Sequence, residues 1–381
     1  MPSSTVKRQS AAVMFTDIAG YTSIMASDEE KARGLLQKAI DLDDNLIIAK
    51  NLLANSYLEI GEIDKAIEIY INNLKQAEGL DDKRGMAYSL GHIGFNYSNK
   101  GGYSNKGNFD KALIYFTRAH DISKELGDKY GMGYSLNGIG LIYLHLGEYD
   151  KALLSSTRSY EMRKALGDKH GMGYSLNAMG LITVSKGDYN KGIEYHTRSL
   201  EIKKEIGDKR GIGVSLINSG STYHFKGDYK KALDYYTQSL EIMKELGDKR
   251  GIQSSLNKIG VSYYIKGDFE KALEFIEKSL VIQKKIGVNE EINAITYLFL
   301  SYKQIDKDYD EKKIHTLIKE TEYIGSNLNY HIYQLLEDTS YLETAYKQVQ
   351  EKADNLEPDV AAKFLSYPMP KAILEEWEKV K

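Results

Sequence analysis

The stretch GDKYGMGYSLNGIGLIYLHLGEYDKALLSSTRSYEMRKAL, residues 127–166, is followed at once by a similar stretch, GDKHGMGYSLNAMGLITVSKGDYNKGIEYHTRSLEIKKEI, residues 167–206. The Gly-Asp-Lys triplet that opens both copies recurs 40 residues apart, at Gly127, Gly167, Gly207 and Gly247. A second Gly-acidic pair lies 20 residues after each of these, at Gly147, Gly187, Gly227 and Gly267. A fixed period of this length is the signature of a repeat architecture. The sequence therefore predicts a chain of stacked 40-residue units.

The Gly-acidic pairs predict where helices end and begin. Glycine suits the left-handed position that ends a helix, and aspartate suits the N-cap of the next helix. Helices of about 18 residues fit between the pairs, and such short turns make consecutive helices antiparallel. Small residues recur inside them, at Gly140, Gly180, Gly220 and Gly260 in the first helix of each unit and at Ala152, Gly192, Ala232 and Ala272 in the second. A glycine inside a helix costs about 1 kcal/mol relative to alanine, so its recurrence predicts close helix contact.

These positions resemble the tetratricopeptide repeat (TPR). The resemblance rests on Ile139-Gly140, Tyr143 and Ala152 in one unit, and on Gly220, Tyr223, Ala232 and Tyr236 in another. The 40-residue unit with its Gly-Asp-Lys-Arg-Gly linker is similar to the LGN/Pins class of TPR adaptors. The resemblance implies an all-α fold: a right-handed superhelical TPR solenoid of antiparallel helix pairs, here preceded by a short N-terminal strand-turn-helix stub.

The repeat pattern predicts four segments along the chain. Residues 1–28 form the N-terminal stub, and residues 29–287 form a half repeat followed by about six repeats. Residues 288–326 form a degenerate repeat, and residues 327–381 form a C-terminal helical cap.

The stub contains Phe15-Thr16-Asp17-Ile18-Ala19-Gly20-Tyr21-Thr22, which is similar to the end of the first strand of class III adenylate/guanylate cyclase domains. The resemblance implies that Asp17 and the carbonyl of Ile18 correspond to metal-binding groups. Two-metal chemistry needs a second carboxylate, and the sequence has no counterpart for it or for the other catalytic groups of the family. One interpretation is a vestige of deletion or recombination that keeps Asp17 and Ile18, and another is a strand that pairs with a second chain. The alternative function is a nucleotide cyclase, or a fragment of one that is completed in trans.

Composition narrows the function further. The net charge of −3 gives no reason to expect nucleic acid or a membrane surface as a partner. The absence of cysteine excludes disulfides, cysteine-ligated zinc and thiol catalysis, and it favours a cytoplasmic location. No apolar run is long enough to span a membrane. No catalytic grouping and no cofactor site is predicted.

The predicted function is a protein–protein interaction scaffold, in a signalling context, that binds a peptide in a concave groove. The groove residues follow one stripe of the first helices, at Tyr134, Asn137, Leu141, His145, Tyr174, Asn177, Leu181, Ile217, Ser221, Phe225, Asn257 and Val261. Asparagine offers a donor and an acceptor to a peptide backbone. The competing interpretation is that these asparagines brace neighbouring helices and that the tyrosines belong to the core. Self-association through the ends or the stub is a third hypothesis.

Overall fold

The computed structural model describes residues 29–42, 47–59, 62–100, 106–286, 292–321 and 323–381. Within these residues the chain is helical, with no strand. The helices are α1 (Glu29–Leu42), α2 (Ile47–Glu59), α3 (Ile63–Gly79), α4 (Lys83–Lys100), α5 (Lys106–Glu125), α6 (Lys129–His145), α7 (Tyr149–Ala165), α8 (Lys169–Lys186), α9 (Tyr189–Glu205), α10 (Lys209–Lys226), α11 (Tyr229–Glu245), α12 (Lys249–Ile265), α13 (Phe269–Lys285), α14 (Ile292–Gln304), α15 (Glu311–Glu320), α16 (Ser326–Leu336), α17 (Thr339–Asp354), α18 (Pro358–Leu365) and α19 (Pro368–Val380). The predicted stub, with Asp17 and Ile18, lies outside the described residues.

The chain forms two compact units, Met1–Gly138 and Ile139–Lys381. In the first unit, consecutive helices from α1 to α5 pack on one another, and Ala54, Ala66 and Tyr70 lie in its buried core. In the second unit, consecutive helices from α7 to α14 do the same. The predicted all-α array of paired helices is confirmed, while the four predicted segment boundaries stay predictions.

The helix ends follow the predicted capping chemistry. The side chain of Asp228 accepts a hydrogen bond of 3.1 Å from the backbone N–H of Lys231. Five more aspartates cap α8, α9, α10, α12 and α13 in the same way, namely Asp168, Asp188, Asp208, Asp248 and Asp268. All eight punctuating glycines have positive φ, from 65° at Gly127 and Gly247 to 95° at Gly187. One position departs: Glu148 makes no side-chain cap, and its longer side chain pairs with Lys151 instead.

The glycines inside the first helices are sites of close helix contact, as predicted. A Cβ added at Gly220 would lie 2.7 Å from the ring of Tyr236, and one at Gly260 would lie 2.6 Å from Ile276. Both neighbours belong to the second helix of the same repeat. Because real Cβ atoms do not approach other atoms this closely, only glycine lets the two helices pack at this separation.

Buried serines add polar contacts that the repeat pattern did not predict. Ser239 of α11 donates a hydrogen bond of 2.9 Å to the carbonyl of Gly213 in α10, and it accepts one of 3.3 Å from Ser255 in α12. Ser199 makes the matching contacts with Gly173 and Ser215. Each serine thus joins its own helix to the first helices of two successive repeats. An alanine at these positions could not make these bonds.

Candidate functional site

The predicted stripe lies on the first helices of the repeats, and the two units carry separate parts of it. Tyr134 and Asn137 belong to the first unit, and the other predicted residues belong to the second. In the second unit the Tyr174 side chain is 40% exposed. Leu141, Leu181, Ile217 and Ser221 are half-buried, and His145 is exposed. This part of the stripe therefore presents a mixed apolar and polar surface.

Asn177 makes contacts inside the repeat array. It is buried, and its Oδ1 accepts a hydrogen bond of 3.1 Å from Asn218 of α10 and lies 3.0 Å from Nδ1 of His196 in α9. One amide thereby joins three successive helices, which matches the bracing interpretation.

Two other predicted residues lie against helices that follow the repeats. Val261 is buried in a hydrophobic cluster that includes Leu300 of α14 and Leu335 of α16. Phe225 packs against a cluster formed with Leu342 of α17 and Phe364 of α18. The chain itself therefore covers these two positions of the stripe.

Two asparagines of the stripe hold buried oxygens. Asn257 is buried, and its Oδ1 has no hydrogen-bond partner among the described residues. The Oδ1 of Asn137, in the first unit, is likewise buried without a partner in that part of the chain. A buried polar atom without a partner costs about 1–3 kcal/mol. A ligand that supplied a donor after a small rearrangement would remove this cost.

The first unit carries an aromatic surface that the sequence stripe largely missed. We define it by five residues on α4 and α6, Tyr88, His92, Phe95, Tyr130 and Tyr134. Tyr88 is 45% exposed, Phe95 is 42% exposed and Tyr130 is 57% exposed. Large rings at this level of exposure are available to a partner. The sequence did contain a signal for this surface. When Gly94 is aligned with Gly140, Tyr88 occupies the same repeat position as Tyr134, which belongs to the predicted stripe.

Stacking holds the aromatic surface in place. The ring of His92 stacks on buried Tyr70, with ring centres 4.9 Å apart, and lies 4.3 Å from Tyr88. Burial lowers the pKa of His92 to about 4, so the imidazole is neutral at pH 7. A Cβ at Gly91 would lie 3.1 Å from the ring of Tyr134, so this glycine lets Tyr134 of α6 rest directly on α4.

A row of basic residues at the start of the first helices is neutralised within the chain. Lys83 pairs with Glu125 at 2.9 Å. In the second unit Lys209 pairs with Glu245 at 3.3 Å, and Arg210 pairs with Asp248 at 3.1 Å. The two lysine pairs lie within single repeats and the Arg210 pair joins neighbouring repeats, and together they leave little net positive charge for an acidic ligand at these residues. The row therefore does not favour an acidic peptide.

Within the described residues, no cluster of three or more histidine, aspartate and glutamate side chains has the geometry to hold a metal ion. None of the helices there is both long enough and apolar enough to cross a membrane.

Comparison with solved structures supports the fold. The STAND (Signal Transduction ATPase with Numerous Domains) protein with a tetratricopeptide repeat sensor from Pyrococcus horikoshii is 20% identical, with a TM-score of 0.53 over 82% of this chain and 46% of that chain. The chain thus spans less than half the length of that protein. A Rap protein, solved in complex with competence and sporulation factor, is 15% identical, with a TM-score of 0.56 over 98% of this chain and 100% of that one. At these identities the likeness concerns the fold.

Comparison with protein families identifies the repeat itself. A search of curated proteins finds no significant match to this chain. Two family models described as tetratricopeptide repeat match it, one over residues 101–165 and 172–245 and the other over residues 253–286. These matches agree with the capped helix pairs described above. Residues 101–165, 172–245 and 253–286 of this chain are therefore tetratricopeptide repeats.

Proposed function

We propose that this protein is a non-catalytic scaffold that binds peptide segments of other proteins on the first-helix surfaces of its repeats. The observation that carries the proposal is the aromatic surface, where three large rings on α4 and α6 stay exposed. Solenoid repeats typically bind partners on extended surfaces of this kind. The Rap protein of similar fold, solved in complex with competence and sporulation factor, agrees with this function.

The chemistry of the surface favours an extended peptide with apolar side chains. Tyrosine rings offer contact area at low conformational-entropy cost and can hydrogen-bond at their edge. Asn137 lies one turn after Tyr134 on α6, and its buried, unpartnered oxygen can accept a backbone N–H once the side chain turns outward. In the second unit, Tyr174, Leu181, Ile217 and Ser221 form a comparable surface. The paired charges of Lys83 and Glu125 make a strongly charged ligand a poorer fit.

A peptide-display experiment tests this function. Random peptides are selected on the full-length protein, and the affinity of selected peptides is measured by fluorescence anisotropy. The double variant Tyr88→Ala/Phe95→Ala should weaken peptides that bind the first unit by at least ~10-fold, because aromatic anchors dominate such interfaces. The matched control is Ile114→Ala, which removes an exposed apolar side chain from the second helix α5 of the same unit. Equal losses in both proteins, or none, would contradict the assignment.

We also propose that the scaffold acts in signalling and in the cytoplasm. The segment from Phe15 to Thr22 resembles a cyclase strand, which supports a signalling context, and the absence of cysteine supports the cytoplasm. Since the sequence offers only Asp17 of the metal-binding carboxylate pair, we expect no cyclase activity. Purified protein incubated with ATP or GTP and Mn²⁺ should form no cyclic nucleotide. Product that disappears in Asp17→Ala would establish the enzyme alternative.

A further inference from the structure

The last helices of the chain rest on two turns of the repeat array. The ring of Phe364 in α18 lies 3.0 Å from where a Cβ at Gly187 would stand. Pro368, the first residue of α19, lies 2.6 Å from the corresponding point at Gly227. Tyr367, between these helices, packs on Tyr189 with ring centres 4.4 Å apart. Helices α18 and α19 therefore cover the turns that follow α8 and α10.

This contact is selective among equivalent turns. Gly147 and Gly267 occupy the same place in their repeats and have the same left-handed conformation, yet nothing lies within 4 Å of a Cβ built on either. The covered region also includes Phe225, whose ring centre is 6.0 Å from that of Tyr189. Phe225 is a residue of the predicted peptide-binding stripe. The C-terminal helices thus occupy one end of that stripe in the second unit.

We propose that α18 and α19 cover this surface in an autoinhibited state. The two helices detach to let a peptide partner reach Tyr189 and Phe225. This inference rests on the proposed function and adds its regulation: docking of the C-terminal helices and binding of a peptide at this end exclude each other. The occupant is a segment of the chain itself, residues 356–381, and the competitor is an apolar peptide of the same kind.

Two features make the docked helices easy to release. Helix α18 spans only eight residues, Pro358–Leu365, and helices this short are not stable in water without their tertiary contacts. Docking also brings the ammonium group of Lys352 to 5.0 Å from the ring of Phe364, and burial lowers its pKa to about 8. The cost of desolvating this charge offsets part of the attraction between the ammonium group and the Phe364 ring.

An engineered disulfide can lock the segment in place. Pro368 Cβ lies 3.9 Å from a Cβ built on Gly227, a separation that suits a disulfide, where Cβ atoms are about 3.5–4.5 Å apart. The chain has no cysteine of its own, so within one molecule the double variant Gly227→Cys/Pro368→Cys can form only this bond, and the oxidised monomer is separated from disulfide-linked dimers by size. Its oxidised and reduced forms are compared in the same preparation, with Pro368→Cys alone as a control for oxidation, since Gly227→Cys alone would place its Cβ 2.6 Å from the Pro368 ring.

The probe is a fluorescein-labelled synthetic peptide of residues 356–381, whose binding requires the chain's own copy to leave. Binding to the oxidised protein should be at least ~10-fold weaker than to the reduced protein, since a crosslink keeps the competing copy at high effective concentration. The full-length variant Phe364→Ala/Tyr367→Ala should bind the probe more tightly than the unmodified chain does. Equal affinity across all these forms would overturn the proposal.

Hydrogen exchange on the unmodified chain gives a readout that needs no variant. Amides of α18 and α19 should exchange at least ~10-fold faster than those of α10, because local opening exposes them without global unfolding. Equal protection of these helices would contradict detachment. Neither measurement depends on an outside partner, so each can fail while the proposed function stands.

The link to partner binding is measured separately. Displayed peptides whose affinity falls in Tyr174→Ala are titrated against the oxidised and reduced double-cysteine protein. We expect weaker binding to the oxidised form, and equal affinity would remove the regulatory role while leaving peptide binding itself intact.

Discussion

Glycine inside the first helices shows how one residue sets the distance between two helices. Within a helix, glycine is less favourable than alanine by about 1 kcal/mol. At Gly220 the ring of Tyr236 and the carbonyl of Ala232 leave no room for a Cβ. The close contact thus outweighs helix propensity at Gly220. Where the surroundings of a helical glycine are open, helix propensity determines the effect of a change to alanine.

A pair of alanine substitutions separates these two effects. Gly220→Ala should lower the free energy of unfolding by about 1–3 kcal/mol, because the added methyl overpacks the helix contact. Gly34→Ala in α1, where nothing lies within 4 Å of the added Cβ, should raise it by up to about 1 kcal/mol. Urea denaturation followed by circular dichroism measures both. Changes of the same sign would contradict the packing argument.

Asn177 shows how a residue that sequence assigns to a surface can belong to the interior. Its amide oxygen serves Asn218 and contacts His196, so Asn177→Ala should cost about 1–3 kcal/mol by leaving buried polar groups unsatisfied. Asn72→Ala, on the exposed side of α3, is the matched control and should be close to neutral. Denaturant midpoints compare the two, and a neutral Asn177→Ala would favour the peptide-binding interpretation.

At the scale of the helix, side-chain capping differs between aspartate and glutamate. Asp228 caps α11 through a bond to the Lys231 N–H, whereas Glu148 at the equivalent position of α7 makes no such bond. Asp228→Ala should therefore destabilise the protein by about 1 kcal/mol. Glu148→Ala should cost less, since an exposed ion pair with Lys151 contributes little. Thermal unfolding measures the stability of both variants. Equal losses of stability would contradict the role of the Asp228 cap.

Serine bonds link α9 and α11 to the first helices on both sides of each. Alanine at Ser239 would fit sterically but would lose the bonds to Gly213 and Ser255. Such bonds connect neighbouring repeats inside their buried interface. These hydrogen bonds form only between packed helices, so the pattern of a single helix does not predict them.

At the scale of the molecule, buried histidines make stability depend on pH. In the second unit, burial lowers the pKa of His196 to about 4, of His224 to about 3 and of His331 to about 4. In the unfolded chain these groups titrate near 6.5. Between about pH 6.5 and 4 the unfolded chain binds more protons, so stability is retained above this window and lost as the pH falls through it.

Urea midpoints measured from pH 7 to pH 4 test this dependence. Each buried histidine should contribute a slope of about 1.4 kcal/mol per pH unit. The variant His224→Leu should show a shallower slope than the unmodified chain, because leucine does not titrate. Leucine suits this site because Leu144 occupies the equivalent position of an earlier repeat. An unchanged slope would show that His224 is not buried in the neutral form.

The local features of the fold could be predicted from sequence, because short-range chemistry determines them. The 40-residue period, the glycine helix ends, the aspartate caps and the close contacts at Gly220 and Gly260 all follow from residue types at fixed spacing. Helix pairing follows in turn from the shortness of the turns. None of these inferences needs contacts distant in sequence.

Only the tertiary structure decided which repeat positions remain accessible. Asn177 faces two other helices, Phe225 lies under the C-terminal helices, and Tyr88 and Phe95 stay exposed in the first unit. Equivalent positions look alike in sequence because the repeat pattern reflects packing between adjacent repeats. It carries no information about a distant segment that packs on them. Contacts such as Pro368 on Gly227 join residues far apart in the chain, and their packing energy appears only when both surfaces have formed.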